Sequence, residues 1–162
     1  MQLHLCDFTT LDKKTLLKIL SWRNHESVKA YMYNDQNIGE KEHFTFVQSL
    51  KTRNDKRYFL VRDDNEEIGV IDFNAISSHS ALMGLYANPF LTQKGVGSKL
   101  MEAIIAYAFE TLSVQVLQAE VFAHNKRAHQ LYQKFGFKEC SRTMIHTKEV
   151  IIMELTNENR IV

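Results

Sequence analysis

The 162-residue sequence contains only two cysteines and one proline. Cys6 and Cys140 lie far apart and lack metal-ligand spacing, so we expect neither a disulfide framework nor a cysteine-based metal site. No apolar run reaches the length of a membrane span, and no segment has the pattern of a signal peptide. These absences predict a cytoplasmic protein with reduced thiols and no membrane partner.

The chain also lacks an excess of charge of either sign, because 20 basic and 19 acidic side chains give a net charge of +1. Without a strong basic run, nucleic acid is not favoured as a partner. The seven histidines are scattered without metal-ligand spacing, so no metal is expected. The apolar share of 44% and the charged share of 24% are typical of a globular protein. We therefore expect residues 1–162 to form a single domain.

The hydrophobic pattern predicts an α+β fold, in which a mixed, mostly antiparallel sheet carries helices on both faces. Runs with a period of two residues indicate strands, and apolar residues at helical spacing indicate helices. The predicted elements are, in chain order, strand 2–8, helices 11–22, 23–33 and 40–53, strands 57–62, 67–75 and 80–87, helix 94–112, strand 115–122, helix 126–135, and strands 137–147 and 149–155.

The most informative segment is residues 88–100, where a strand end is followed by Pro89 and by a helix that opens with Gly95 and Gly97. Such a turn exposes backbone N–H groups at the positive end of a helix dipole, which suits a phosphate or pyrophosphate. It is not a P-loop, because the pattern G-x-x-x-x-G-K-[ST] is absent, and it is not a dinucleotide fingerprint, because Leu100 occupies the position of a third glycine. Taken alone, the glycine pair could equally serve as a helix cap and bend.

A second pattern follows about 30 residues later. The strand-like run 116–122 is followed by Asn125, Ala128 and Tyr132 and then by the pair Gly136-Phe137. The two patterns, in this order, resemble the GNAT family of N-acetyltransferases over nearly the whole chain. The resemblance implies the GNAT fold and acetyl-coenzyme A (acetyl-CoA) as cosubstrate, with no metal.

In that family the glycine turn has the pattern Q/R-x-x-G-x-G/A and wraps the pyrophosphate of acetyl-CoA. This sequence has Thr92 where glutamine or arginine is usual, which removes one side-chain contact and leaves the backbone cradle. A Cβ at Gly97 is expected to push the pyrophosphate away. The resemblance also implies that the strand before the turn splays from the next strand to admit the pantetheine arm, whereas an uninterrupted central sheet is the alternative. The implied cofactor-binding residues are Leu85, Tyr86, Lys94, Gly95, Val96, Gly97, Ser98, Asn125 and Ala128.

The resemblance implies Tyr132 as the general acid, because a phenol stays protonated at neutral pH and can donate to a departing thiolate. A helical tyrosine without this context would be a packing residue. Glu120, an acidic residue in an apolar strand, is the candidate base, although it could also be a solvent-facing residue at a sheet edge. Asp72 is a weaker rival for the same role.

The first half of the chain is dense in aromatic and polar side chains, which suit a ligand that combines a planar base, a sugar and phosphate; the alternative is that these rings simply close a core. At this level the chain resembles the nucleotide-amino-sugar N-acetyltransferases of bacterial pseudaminic acid synthesis. That resemblance implies acetylation of the 4-amino group of UDP-4-amino-4,6-dideoxy-N-acetyl-β-L-altrosamine, on the route to flagellin glycosylation. The implied substrate-binding residues are Arg23, His25, Met32, Tyr33, His43, Phe46, Tyr86 and Glu120.

Two other functions stay open at this stage. One is a protein or peptide N-terminal acetyltransferase of the ribosomal type, which shares the long early helices. The other is a non-catalytic module that binds acetyl-CoA, against which Tyr132 argues. The sequence also leaves open whether the protein is a monomer or a homodimer.

Overall fold

The computed structural model describes residues 3–160, which form a seven-stranded sheet flanked by five helices. The strands are β1 (Leu3–Asp7), β2 (Arg57–Asp63), β3 (Glu66–Asn74), β4 (Ser80–Ala87), β5 (Val116–Phe122), β6 (Lys138–Ile145) and β7 (Lys148–Thr156). The helices are α1 (Lys13–Arg23), α2 (Glu26–Lys29), α3 (Glu40–Leu50), α4 (Val96–Ala106) and α5 (Lys126–Lys134). Within residues 3–160, no helix is long and apolar enough to cross a membrane.

The strand order is β1-β2-β3-β4-β5-β7-β6. Every neighbouring pair is antiparallel except β4 and β5, which run parallel. The predicted α+β class with a mixed, mostly antiparallel sheet is therefore confirmed.

Two hydrophobic cores cover the two faces of this sheet. Alternate residues of a strand point to opposite faces, so Phe73 of β3 packs with Leu100 of α4 in one core. Its neighbours along the strand point the other way, and Val70 packs with Trp22 of α1 in the second core. The prediction of helices on both faces is therefore confirmed.

The parallel contact between β4 and β5 is short. Pairing is limited to Ser80 with Val116, Ala81 with Leu117 and Leu82 with Gln118. Beyond these pairs, residues 83–87 of β4 do not pair with residues 119–122 of β5. Each strand stays paired with its other neighbour, β4 with β3 and β5 with β7. We call this opening the β4–β5 gap. The predicted splay is present, and the alternative of an uninterrupted central sheet is wrong.

The predicted helix over residues 23–33 is mostly wrong, because Arg23 ends α1 and, of residues 24–33, only Glu26–Lys29 is helical. The His25 imidazole accepts a hydrogen bond from the Ser27 N–H and so starts a new short helix instead of continuing α1. Residues 30–39 then form a loop, which the side chain of Asn24 holds through two hydrogen bonds with the backbone of Ile38. The first predicted strand begins at Gln2, which lies outside the described residues.

Candidate active site

The turn before α4 provides an open helix N-terminus. Gly95 adopts a left-handed conformation with a φ of +87°, and no side chain caps the helix that begins at Val96. The first N–H groups of a helix have no partner within the helix, so they are free to bind an anion. A Cβ on Gly95 would meet nothing within 4 Å, so space is present beside the turn. This backbone fits the pyrophosphate of acetyl-CoA.

Gly97 has a packing role that the sequence did not predict. A Cβ at this position would lie 3.1 Å from Cδ2 of Leu131 on α5, not in open space beside the turn. Gly97 therefore allows α4 and α5 to approach closely, whereas the expected effect of a Cβ here on the pyrophosphate stays a prediction.

The N-terminus of α5 lies at the same end of the sheet. The Asn125 side chain accepts a hydrogen bond from the Ala128 N–H at 3.3 Å and caps the helix. The Lys134 ammonium lies 3.3 Å from the Ser98 hydroxyl and so joins α5 to the first turn of α4. Two helix N-termini and a lysine thus flank the β4–β5 gap. The contacts of Leu85, Lys94 and the other predicted cofactor-binding residues with acetyl-CoA stay predictions.

Two acidic side chains flank the closed end of the β4–β5 gap. Gly84 and Glu120 are the first residues after the last β4–β5 pair whose positions face α1 and α3. Asp72 of β3 pairs directly with Gly84, and its carboxylate leans across this glycine. Asp72 and Glu120 therefore lie on the same face of the sheet, on opposite sides of the gap.

Hydrogen bonds with Asn74 hold the Asp72 side chain. Asn74 Nδ2 donates to Asp72 Oδ1 at 2.9 Å, and Asn74 Oδ1 accepts from Lys56 Nζ at 2.6 Å. Burial raises the pKa of Asp72 to about 7, against the opposing effects of the Lys56 charge and the Asn74 hydrogen bond. At neutral pH this carboxyl group can therefore both accept and release a proton.

Tyr132 of α5 faces the gap from the other side of the sheet. Its ring is only 7% exposed and packs against Phe137 at a centroid distance of 5.9 Å. Burial, together with the Asp72 carboxylate, raises the pKa of Tyr132 above its ordinary value. Among residues 3–160 its hydroxyl has no hydrogen-bond partner. The phenol therefore stays protonated and is free to donate, as a general acid requires.

Glu120 contacts the loop that follows α2. The Tyr33 hydroxyl donates to Glu120 Oε1 at 2.6 Å. The side chain is half-buried, and its role as the base stays a prediction. Glu120 connects the gap to an adjoining groove.

This groove has a volume of about 570 Å³, and its lining contains three rings, one lysine and one aspartate. We call it the aromatic groove; its lining residues are Met32, Tyr33, Asn34, Asp35, Phe122, His146 and Lys148. Its rim contains a stack in which His124 lies 5.7 Å from Tyr31 and 5.2 Å from Phe122. The Lys148 ammonium lies 5.3 Å from the centre of the Phe122 ring. Such a surface suits a planar ring joined to anionic groups.

Several predicted substrate-binding residues are already bound within the protein. The buried Arg23 guanidinium donates to the carbonyl oxygens of Asn34 and Gln36, so it shapes the wall of the aromatic groove from behind. The buried His43 donates from Nε2 to the Leu16 carbonyl at 2.9 Å. Direct contact of either residue with an acceptor stays a prediction.

The remaining predicted substrate-binding residues are divided between two places. Met32 and Tyr33 line the aromatic groove. Phe46 packs edge-on against Tyr58 at 4.9 Å, and Tyr86 is half-buried on the same face as Asp72. His25 caps α2 and packs against Phe90. The structure thus brings Tyr33 and Glu120 together and leaves His25 apart.

Sequence reasoning missed Phe122, His124, His146 and Lys148 as groove residues. The last two lie at the turn between β6 and β7, whose position beside β5 follows only from the strand order β5-β7-β6. In β3 the polar residues Asp72 and Asn74 alternate with the buried residues Ile71 and Phe73. This alternation was the one sequence pattern that indicated a polar pair on this face of the sheet.

The model of the acetyltransferase (GNAT) family matches residues 16–137. The acetyltransferase PseH of Campylobacter jejuni is 44% identical over 131 residues, which cover 81% of this chain and 82% of the relative. The crystal structure of C. jejuni PseH in complex with acetyl coenzyme A superposes with a TM-score of 0.80 at 36% identity and covers 96% of this chain and 99% of that one.

A spermidine N-acetyltransferase from Vibrio cholerae, solved with CoA and spermine, superposes with a TM-score of 0.87, covering 98% of this chain and 97% of that one. At 22% identity this neighbour supports the fold alone. The family match, the relatives and the fold agree with the glycine turn, the β4–β5 gap and the tyrosine beside it. This chain belongs to the GNAT family of acetyltransferases.

Proposed function

We propose that the protein transfers acetyl from acetyl-CoA to the 4-amino group of UDP-4-amino-4,6-dideoxy-N-acetyl-β-L-altrosamine, a step of pseudaminic acid biosynthesis for flagellin glycosylation. The observation that carries the proposal is the continuity between the β4–β5 gap and the aromatic groove through the Glu120–Tyr33 hydrogen bond. An acceptor in the groove can then present an amine at the closed end of the gap. The C. jejuni relative named PseH supports this acceptor class.

The gap supports the binding of acetyl-CoA in an extended form. The inner edges of β4 and β5 leave backbone groups of residues 83–87 and 119–122 free to pair with the amides of the pantetheine arm. The helix N-terminus at Val96 would hold the pyrophosphate. Acetyl-CoA supplies the thioester, and the protein orients it between Tyr132 and the carboxylates of the opposite face.

The aromatic groove supports a nucleotide-sugar acceptor. Tyr33 and Phe122 offer ring faces and edges at a centroid distance of 5.4 Å, and His146 and Lys148 line the same groove and can donate hydrogen bonds to a diphosphate. A peptide acceptor would make fewer stacking and charge-assisted contacts with these side chains. Acetyl-CoA and nucleotide sugars are both cytoplasmic metabolites, so we place the reaction in the cytoplasm. All named groups belong to one chain, so the proposal does not require a homodimer.

The test is a direct acceptor comparison. The protein is incubated with acetyl-CoA and one of three acceptors, namely the UDP-amino-sugar, a peptide with a free N-terminus, or spermine, and free thiol is followed. The proposal expects thiol release with the UDP-amino-sugar at a kcat/KM at least about a hundredfold above the others, because one or two charge-assisted hydrogen bonds are worth that much. Preference for the peptide or for spermine would overturn the proposed acceptor, and binding of acetyl-CoA with no acetylation would favour a non-catalytic module.

A further inference from the structure

Asp72 occupies a space that a glycine leaves for it. A Cβ built on Gly84 would lie 2.7 Å and 2.8 Å from the two carboxylate oxygens of Asp72. No other residue type could therefore occupy position 84 while the carboxylate keeps this position. The carboxylate lies over β4 at the closed end of the β4–β5 gap, two residues beyond the last β4–β5 pair.

The hydrogen bonds around Asn74 leave one oxygen of Asp72 available. Asn74 Oδ1 accepts from the Lys56 ammonium and, at 3.3 Å, from the Tyr58 hydroxyl, so the Asn74 amide nitrogen must face Asp72. That nitrogen donates to Oδ1. Among residues 3–160 no group donates to Asp72 Oδ2. The side chain is thus held in place while one oxygen stays free to accept a proton.

Four charged or titratable groups face Asp72, from the β2 region, β4 and α5. Lys56, which precedes β2, is the one cation among residues 3–160 that acts on Asp72, and it favours the carboxylate. Tyr58 of β2, Tyr86 of β4 and Tyr132 of α5 are close enough for the Asp72 charge to raise the pKa of each phenol. All three phenols are therefore neutral when Asp72 titrates, so Asp72 changes charge without a competing anion from these residues.

Glu120 has a different environment. It already accepts a hydrogen bond from Tyr33 of the aromatic groove. Both acidic groups lie at the gap, but Glu120 faces the groove that would hold the acceptor, whereas Asp72 lies beneath the gap and faces Tyr132 across it. This placement separates a residue that orients the acceptor from a residue that removes its proton.

We propose that Asp72, not Glu120, is the general base of the acetyl transfer. The inference rests on the proposed N-acetyltransferase function. As the acceptor nitrogen attacks the thioester carbon, a C–N bond forms and the C–S bond breaks. One proton of the attacking amine passes to Asp72 Oδ2, and the leaving sulfur takes the proton of the Tyr132 hydroxyl. Glu120 acts as a positioning residue that holds the acceptor together with Tyr33.

The experiment compares Asp72→Asn with Glu120→Gln in the full-length protein. Asp72→Asn keeps the shape of the side chain and an acceptor for Asn74, and Asp55→Asn, an exposed aspartate paired with Arg53, serves as the matched control. We expect Asp72→Asn to lose about a hundred- to ten-thousandfold in kcat while it binds acetyl-CoA normally by calorimetry. Glu120→Gln should chiefly raise the KM of the acceptor.

The pH profile gives a readout that a structural role would not change. The wild-type kcat/KM should rise with pH through an acidic limb, because Asp72 must be ionised to act as a base. Lys56→Met should move this limb to higher pH, since Lys56 favours the carboxylate. In Asp72→Asn the limb should disappear or move to the pKa of the acceptor amine itself.

The outcomes separate this inference from the proposed function. If the wild type acetylates the UDP-amino-sugar but Asp72→Asn keeps its turnover and its acidic limb, the base assignment is overturned and the function stands. If the wild type accepts only another amine, the proposed acceptor is overturned, and the same comparison made with that amine decides the role of Asp72. A wild type that acetylates no amine overturns both.

Discussion

At the scale of single residues, Tyr132 combines a packed ring with a hydroxyl group that has no partner among the described residues. Most buried tyrosines use their hydroxyl in a hydrogen bond, because an unmet donor costs free energy. A hydroxyl without a protein partner beside the β4–β5 gap is available for the proposed general-acid role. Its raised pKa keeps the proton available over the physiological range.

Tyr132→Phe keeps the ring and its contact with Phe137 but deletes the proton donor. We expect kcat to fall about a hundred- to ten-thousandfold, while both Michaelis constants stay near their wild-type values. Tyr107→Phe is the matched control, since Tyr107 packs against Phe73 and its hydroxyl bonds to Arg57 outside the gap. Steady-state kinetics of the two variants test this. Near-normal turnover in Tyr132→Phe would return Tyr132 to a packing role.

Asp72 also makes stability depend on pH. The pKa of Asp72 is about 7 in the folded protein, against 3.8 for an unperturbed aspartate in the unfolded chain. The folded state therefore binds more protons than the unfolded state between these pH values. The contribution of the neutral carboxyl to stability is complete below about pH 4 and is lost as the pH rises through 7.

Asp72→Asn should therefore gain thermal stability over the wild type as the pH rises. The difference in Tm between the two proteins should grow between pH 4 and 7 and stay constant above pH 7. Thermal melts followed by circular dichroism at pH 5, 6, 7 and 8 measure it. A difference that does not change with pH would mean that burial does not perturb Asp72.

The Arg23 side chain at the end of α1 holds the loop over residues 30–39. Arg23→Ala should raise the acceptor KM about ten- to a hundredfold, because the carbonyl groups of Asn34 and Gln36 lose charge-assisted hydrogen bonds worth about 1.5–3 kcal/mol. Since Arg23 lies behind the groove, the Tm should fall as well, whereas acetyl-CoA affinity should stay unchanged. Kinetics, calorimetry and thermal melts test the three effects. A raised KM with an unchanged Tm would mean that Arg23 contacts the acceptor directly.

At the scale of elements, the order of strands and helices could be predicted, because hydrophobic periodicity reports which face of each element is buried. The helix predicted over residues 23–33 failed for a local reason, since His25 caps a new helix and Arg23 turns inward to bind loop carbonyls. The sequence identified Asp72 as a candidate base but did not show that it is a better candidate than Glu120. Its importance depends on pairing with Gly84, 12 positions away, and strand register is not visible in composition or period.

The packing of α4 against α5 depends on Gly97. Gly97→Val should destabilise the protein by about 1–3 kcal/mol, because the new side chain meets Leu131, whose Cδ2 lies 3.1 Å from the position of a Cβ. Leu131→Ala in the same chain should recover part of this loss by making room. A double-mutant cycle by urea denaturation measures the coupling. Additive effects would contradict a direct contact between the two positions.

At the scale of the whole molecule, the sheet consists of two parts, β1–β4 and β5-β7-β6, joined through three residue pairs. A ligand that binds in the β4–β5 gap contacts both parts. Anything that binds only the folded state stabilises it by mass action. Acetyl-CoA should therefore act on global stability and not only on the local turn.

Acetyl-CoA at a hundredfold excess over its Kd should stabilise the protein by about 2.7 kcal/mol. For a chain of this length that corresponds to a rise in Tm of about 5–10 °C. Differential scanning calorimetry with acetyl-CoA, and with ATP as a control that lacks the pantetheine arm, measures the shift. An equal shift with both ligands would mean that the arm does not occupy the gap.

The β4–β5 gap has one more consequence, for the behaviour of the protein without its cosubstrate. Two inner strands, at residues 83–87 and 119–122, then present unpaired backbone groups, as the outermost strand of a sheet does. Such edges can recruit strands from other chains. A cell that runs short of acetyl-CoA would thus hold this enzyme in its form most prone to aggregation, and the cosubstrate would act as its solubilising agent.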